Sequence, residues 1–110
     1  MAPPARRIPV VYLALRLPVE ALARIDAACT VRTWDGAGQP SKQALVAKLG
    51  DVEGLLGSAM LPIDADVLEA APRLRVISNV GVGFDNVDLQ AATGRGVLVC
   101  NTPDVLTDAV

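Results

Sequence analysis

Residues 79–88, "NVGVGFDNVD", place two glycines one residue apart, Gly81 and Gly83, where an apolar run meets a helical pattern. Glycines so spaced let the backbone turn without Cβ clashes, and consecutive N–H groups beside a helix start favour a small anion. A carboxylate suits such a nest. The same residues begin a dinucleotide fingerprint, G-x-G-x-x-G, but Asn86 stands where the third glycine belongs. Asp104 lies at about the twenty-residue distance at which a ribose-binding acid is sought, yet it follows Pro103 in a turn instead of closing a strand. Both departures count against a dinucleotide site. A third reading stays open, in which the glycines merely permit a tight strand-to-helix turn capped by Asp85 or Asn86.

Other chemistry is sparse. The chain has no His, and Cys29 and Cys100 sit in separate apolar runs without C-x-x-C spacing. A zinc set is therefore incomplete, and the cysteines read as reduced core residues of a cytoplasmic protein. Ten Lys and Arg against twelve Asp and Glu give a net charge of -2, with the cations scattered. No basic stripe exists for a phosphate backbone, which argues against nucleic acid. Arg6 and Arg7 followed by "IPVVYLAL" imitate a secretory signal, with "ALA" at 21–23 as a mock cleavage site. Arg16 ends that apolar run, so a first core strand is the better reading, and no segment is long enough to span a membrane.

The elements that must position the glycine loop alternate regularly. Ile8–Leu15 reads as a strand buried on both faces. Pro18 starts a helix with Val19, Leu22 and Ile25 on one side and Glu20, Arg24 and Asp26 on the other. Thr30–Trp34 is a second strand, closed by the turn "DGAGQP". Ser41 caps a helix that turns Leu45, Val46 and Leu49 inward and stops at Gly50. Val52–Ala59 is a third strand. Asp64 caps a short helix bearing Val67 and Leu68, which Pro72 ends. Leu74–Val80 is a fourth strand; after the glycine loop come a helix around Leu89 and Ala92, the stop "GRG", and a fifth strand, "VLVC". This order predicts an α/β fold: a doubly wound five-stranded parallel sheet, flavodoxin-like, with right-handed crossovers and helices on both faces. In such sheets a ligand sits beyond the carboxyl ends of the strands, where residues 79–86 lie. "NTPDVLTDAV" then turns at Pro103 and supplies Thr107 as a cap for a helix of only three further residues, too short to persist alone. The chain reads as cut from something longer.

"APRLRVISNVGVGFDNVDLQAATGRGVLVCNTPDVLTDAV", residues 71–110, resembles the D-isomer-specific 2-hydroxyacid dehydrogenases, the family of glyoxylate, hydroxypyruvate and phosphoglycerate dehydrogenases. The carriers are V-G-x-D-N, then A-x-x-x-G-V, then N-T-P; "LPVEALARIDAACTVRTWDG" and "PIDADVLEAAP" extend the likeness over nearly the whole chain. The resemblance implies a substrate-binding domain over residues 1–100 and the truncated start of an interdomain helix over 101–110. It further implies that the amides of Val82 and Gly83 hold the substrate carboxylate, that Asn101 lines the cleft, and that Met60 and Val110 touch the nicotinamide end of NAD or NADP. The cofactor's own domain, with the complete glycine fingerprint and the catalytic Arg, Glu and His, lies outside this chain. A small 2-keto or 2-hydroxy acid as ligand and a homodimeric parent follow from the same likeness. On this reading the chain alone is inactive, since hydride transfer to a keto acid needs a carboxylate-binding cation and a proton donor tuned near neutrality.

Two other classes share the sheet. A receiver-type signalling domain needs acids after the first and third strands, where this chain reads "ALRLP" and "SAMLP". A stand-alone interaction module would instead dock a partner on residues 101–110.

Overall fold

The computed structural model describes residues 8–81 and 83–101. Val82, Val110, Asp104 and the remainder of the expected linker after Asn101 lie outside the described residues. Strands β1 (Val10–Leu13), β2 (Thr30–Thr33), β3 (Gly54–Ser58), β4 (Val76–Val80) and β5 (Leu98–Asn101) alternate with helices α1 (Val19–Ala28), α2 (Lys42–Val46), α3 (Ala65–Glu69) and α4 (Leu89–Gly94). Every pairing is parallel and the spatial order is β2-β1-β3-β4-β5. The direction of winding reverses between β1 and β3, the topological switch point of this order.

The strands are shorter than their apolar runs. Pairing defines them, and neighbours run out before hydrophobicity does: the ladder still extends one step beyond β1, with the Ala14 N–H donating to the Leu56 carbonyl at 2.8 Å. Ser41 caps α2, its Oγ accepting from the Ala44 N–H at 3.2 Å, and Asp64 caps α3, accepting from the Val67 N–H at 3.0 Å. Both caps are where the sequence places them.

Gly50 does not end α2. The helix stops at Val46, and the chain proceeds through tight turns in which the Lys48 N–H donates to the Leu45 carbonyl at 3.0 Å. Leu45, Leu49 and Val52 are nonetheless all fully excluded from solvent, so the tight turns keep on the sheet the same i, i+4, i+7 side chains that a continued helix would have presented. Gly50 also has no left-handed φ.

Period-2 alternation divides the sheet into two unequal faces. Tyr12, Leu55 and Ile77 point into the main core with Leu45 of α2, Leu49 of the turns that follow it, Val67 and Leu68 of α3 and Ala92 of α4. α1 lies against the opposite face, where its Val19, Leu22 and Ala23 share a concavity with Val31 and Thr33 of β2. Helices thus flank both faces, but α1 reaches only one end. Val76, Val80 and Leu98, in register with the α1-facing residues of β3, are 36%, 37% and 69% exposed. Val19, expected on the buried side of α1, is 81% exposed. Cys29 is half-buried and Cys100 exposed, so neither belongs to the core; both are free thiols.

Candidate functional site at the carboxyl edge of the sheet

Two loops meet where β3 and β4 end. The β3–α3 loop leaves Ser58, whose Oγ accepts from the Met60 N–H at 2.9 Å, and whose carbonyl accepts from the Leu61 N–H at 3.0 Å. The β4–α4 loop starts at Gly81 and joins the first by an isolated parallel bridge between Ile63 and Val87. Across that bridge the Ile63 N–H donates to the Asn86 carbonyl at 2.8 Å and the Asp88 N–H to the Ile63 carbonyl at 2.9 Å.

Each glycine is required for a separate reason. Gly81 has φ +135°, and a Cβ there would lie 3.1 Å from the Ala59 Cβ, so both backbone and space demand glycine. Gly83 has φ +91°, while a Cβ there would meet nothing within 4 Å. Only the backbone conformation excludes other residues at Gly83. The space beside its Cα is therefore open, on a turn held from behind through its carbonyl, which accepts from Asn79 Nδ2 at 3.4 Å.

The start of α4 contributes less than expected. Asp88 caps it, accepting from the Ala91 N–H at 3.0 Å, and the helix is six residues long. A carboxylate already occupies the position at which a helix N-terminus would receive an anion. Neither Asp85 nor Asn86 is the cap.

Asn86 does something else. Asn79, on β4 and fully buried, and Asn86 exchange amide hydrogen bonds: the Asn79 Nδ2 donates to Asn86 Oδ1 at 2.9 Å and the Asn86 Nδ2 to Asn79 Oδ1 at 3.2 Å. The Asn86 Nδ2 also donates to the Leu61 carbonyl at 2.8 Å, and the Asn79 Nδ2 to the Gly83 carbonyl at 3.4 Å. Sequence reading missed this pair. The available signal was a polar residue inside the apolar run of β4, at a position whose period-2 neighbours are core residues.

Charge in the β4–α4 loop is negative or neutral. Residues 79–88 contain Asp85 and Asp88 and no Lys or Arg. Lys42 is committed elsewhere, its Nζ donating to Asp64 at 2.8 Å and to Asp66 at 2.9 Å. The hydrogen bond from Lys42 holds the Asp64 carboxyl below its ordinary value, helped by the Val67 N–H, and the same two carboxylates raise the Lys42 ammonium. Any cation that neutralises a bound carboxylate must come from outside this loop.

Of the residues singled out by sequence, Gly83 lies on the β4–α4 loop. Met60 lies on the β3–α3 loop, 80% exposed, with its carbonyl accepting from Gln39 Nε2 at 3.3 Å. Asn101 is half-buried at the end of β5 and in register with Asn79. They belong to the ends of three adjacent strands. Where a dinucleotide fingerprint would have its third glycine, the half-buried Asn86 amide occupies the space between the loops. Among the described residues no three His, Cys, Asp or Glu gather as for a metal, and no helix is long and apolar enough to cross a membrane.

Residues 10–110 match the model of the D-isomer specific 2-hydroxyacid dehydrogenase family, catalytic domain. Glyoxylate reductase of Korarchaeum cryptofilum is 38% identical over 100 residues, covering 91% of this chain and 30% of the relative. Glyoxylate reductase of Thermococcus kodakarensis is 39% identical over 101 residues, covering 92% of this chain and 30% of the relative. A crystal structure of a protein from Pyrococcus horikoshii superposes with a TM-score of 0.83 at 34% identity, over 94% of this chain and 30% of that one. The chain thus spans less than a third of the length of the proteins it matches.

Proposed function

This chain belongs to the D-isomer specific 2-hydroxyacid dehydrogenase family, and from that membership together with the loop geometry we propose that it is the substrate-binding domain of an NAD(P)-dependent oxidoreductase. The reaction is the interconversion of 2-keto acids and D-2-hydroxy acids of the glyoxylate or hydroxypyruvate kind. The observation that carries this reading is Gly83: a left-handed backbone at φ +91°, open on its Cβ side, on a turn at the carboxyl edge of a parallel sheet. Such a turn offers the Val82–Gly83 amides to a carboxylate.

In this role the chain binds and orients. The amides of Val82 and Gly83 would engage the carboxylate oxygens, which fixes the direction of the neighbouring keto carbon, and correct orientation supplies a large part of a barrier reduction. Asn101 lines the same cleft. The nicotinamide cofactor, bound mainly outside these residues, supplies the hydride; Met60 and Val110 touch its nicotinamide end. Because the nest reads only the group common to all 2-keto acids, the side group is selected elsewhere. We place the protein in the cytoplasm, with a homodimeric parent.

The test uses the 110-residue chain as it stands. Titration of ¹⁵N-labelled protein with glyoxylate, against glycolaldehyde as the neutral control, is expected to move the Gly83 amide resonance with roughly millimolar affinity and only for the carboxylate. Shifts confined to the α1 concavity, or equal shifts with both compounds, refute the proposal.

A further inference from the structure

We propose that Asn79 and Asn86 are positioning residues for carboxylate binding: their reciprocal amide pair holds the Gly83 turn in its receptive shape and ties it to the β3–α3 loop. This rests on the reading of Gly83 as part of the carboxylate site.

The argument begins from burial. Asn79 is 0% exposed in a strand whose other inward residue, Ile77, is equally buried and apolar. An amide in that place is unfavourable unless its polar atoms are satisfied. Its amide N–H groups are turned toward the loop: one goes to Asn86 Oδ1 at 2.9 Å and the other to the Gly83 carbonyl at 3.4 Å. Asn86 is likewise saturated, one N–H returning to Asn79 Oδ1 at 3.2 Å and the other reaching the Leu61 carbonyl at 2.8 Å, 25 residues away in sequence. Four amide protons thus hold one turn.

The orientation of both amides is dictated by their surroundings. Flipping Asn86 would set its oxygen against the Leu61 carbonyl, and flipping Asn79 would set its oxygen against that of Gly83. Each amide therefore has a single acceptable rotamer, and each fixes the other. A reciprocally bonded amide pair at the rim of a core specifies one arrangement where apolar packing would tolerate several. Here the arrangement specified is the path of residues 83–86, anchored at Leu61 behind Met60. Gly83 would otherwise be free, since nothing surrounds its Cβ position and glycine resists left-handed and right-handed φ equally little. The pair removes that freedom before ligand arrives, so binding need not order the loop.

The experiment uses the full-length enzyme that carries this domain and three variants, Asn86→Ala, Asn86→Asp and Gly83→Val, assayed with glyoxylate, with cofactor affinity measured separately by fluorescence. Asn86→Ala is expected to raise the keto-acid KM about tenfold while cofactor affinity stays within about twofold. Asn86→Asp is isosteric but, when ionised, sets negative oxygens against the Leu61 carbonyl. Its KM defect relative to wild type is expected to shrink as pH falls from 8 to 5, because the protonated carboxyl regains one donor. A merely structural role predicts a lower melting temperature with unchanged KM and no pH-dependent rescue, and that result overturns the proposal. If Gly83→Val raises KM but neither Asn86 variant does, the positioning role alone fails; if Gly83→Val also leaves KM unchanged, the carboxylate reading fails with it. Should the variants not fold, the wild-type 110-residue chain decides by NMR. Slowed exchange of both Asn side-chain amides, with nuclear Overhauser contacts between them, supports the pair, and fast exchange with no contact overturns it.

Discussion

Replacing Gly83 separates backbone strain from steric collision. At φ +91° an L side chain is strained whatever the room around it, and here the room is ample, with nothing within 4 Å of the added Cβ. A non-glycine residue held in such a region costs about 1–3 kcal/mol and persists only where its surroundings enforce it. In Gly83→Val the loop relaxes toward negative φ in the free protein, and the rest of the fold, which touches nothing at that Cβ, stays intact. Binding must then restore the strained turn, so the strain is subtracted from affinity, which amounts to roughly a 5- to 150-fold rise in the keto-acid dissociation constant. The assay is steady-state kinetics on the full-length enzyme, with cofactor titration by fluorescence and circular dichroism as the folding control. A keto-acid KM raised at least about tenfold with cofactor affinity little changed is the expected result. A folded Gly83→Val protein with unaltered KM refutes the reasoning. One that loses cofactor and retains substrate shows the loop to be a dinucleotide site despite Asn86.

Gly81→Ala should differ in kind: its Cβ lands 3.1 Å from the Ala59 Cβ at φ +135°, so thermal unfolding should move to lower temperature more than in Gly83→Ala. The isolated chain, which contains no His, is expected to show no NAD(P)H-dependent reduction of glyoxylate or hydroxypyruvate; turnover clearly above the blank by purified protein would contradict this. Because Lys42 depresses the Asp64 carboxyl below 3.8, that contribution to stability is fully present above 3.8 and is lost as pH falls through the lower folded value. Urea midpoints measured on the acid side should therefore fall less steeply in Lys42→Met than in wild type, and the difference should narrow in high salt. Leu98→Lys, at a side chain 69% exposed on the sparsely covered face, should leave the melting temperature unchanged and reduce any self-association of the isolated chain seen by sedimentation; a large loss of stability would show that face to be packed.

What the sequence by itself determined was local or periodic. Alternating apolar runs and amphipathic stretches were enough to predict a parallel α/β sheet, because a parallel connection requires a crossover and each crossover here has its own helix. Ser41 and Asp64 were legible as caps, since a cap bonds a backbone amide three residues away. Gly83 was legible as a special turn because left-handed φ is a property of one residue. Tertiary structure decided what depends on neighbours distant along the chain. The order β2-β1-β3-β4-β5 sets β3 beside β4, and only that adjacency brings the Leu61 carbonyl to Asn86. Without it, Asn86 reads as a defective glycine or as a cap; with it, Asn86 is the half-buried partner of the buried Asn79 and Asp88 is the cap. The exposure of Val19 and Leu98 belongs to the same class, for helical or strand periodicity says which residues share a face, while the position of α1 over one end of the sheet says whether that face is covered. Backbone preference acts over a few residues, but burial and amide pairing act through space, and space is allotted only when the strands have chosen their neighbours.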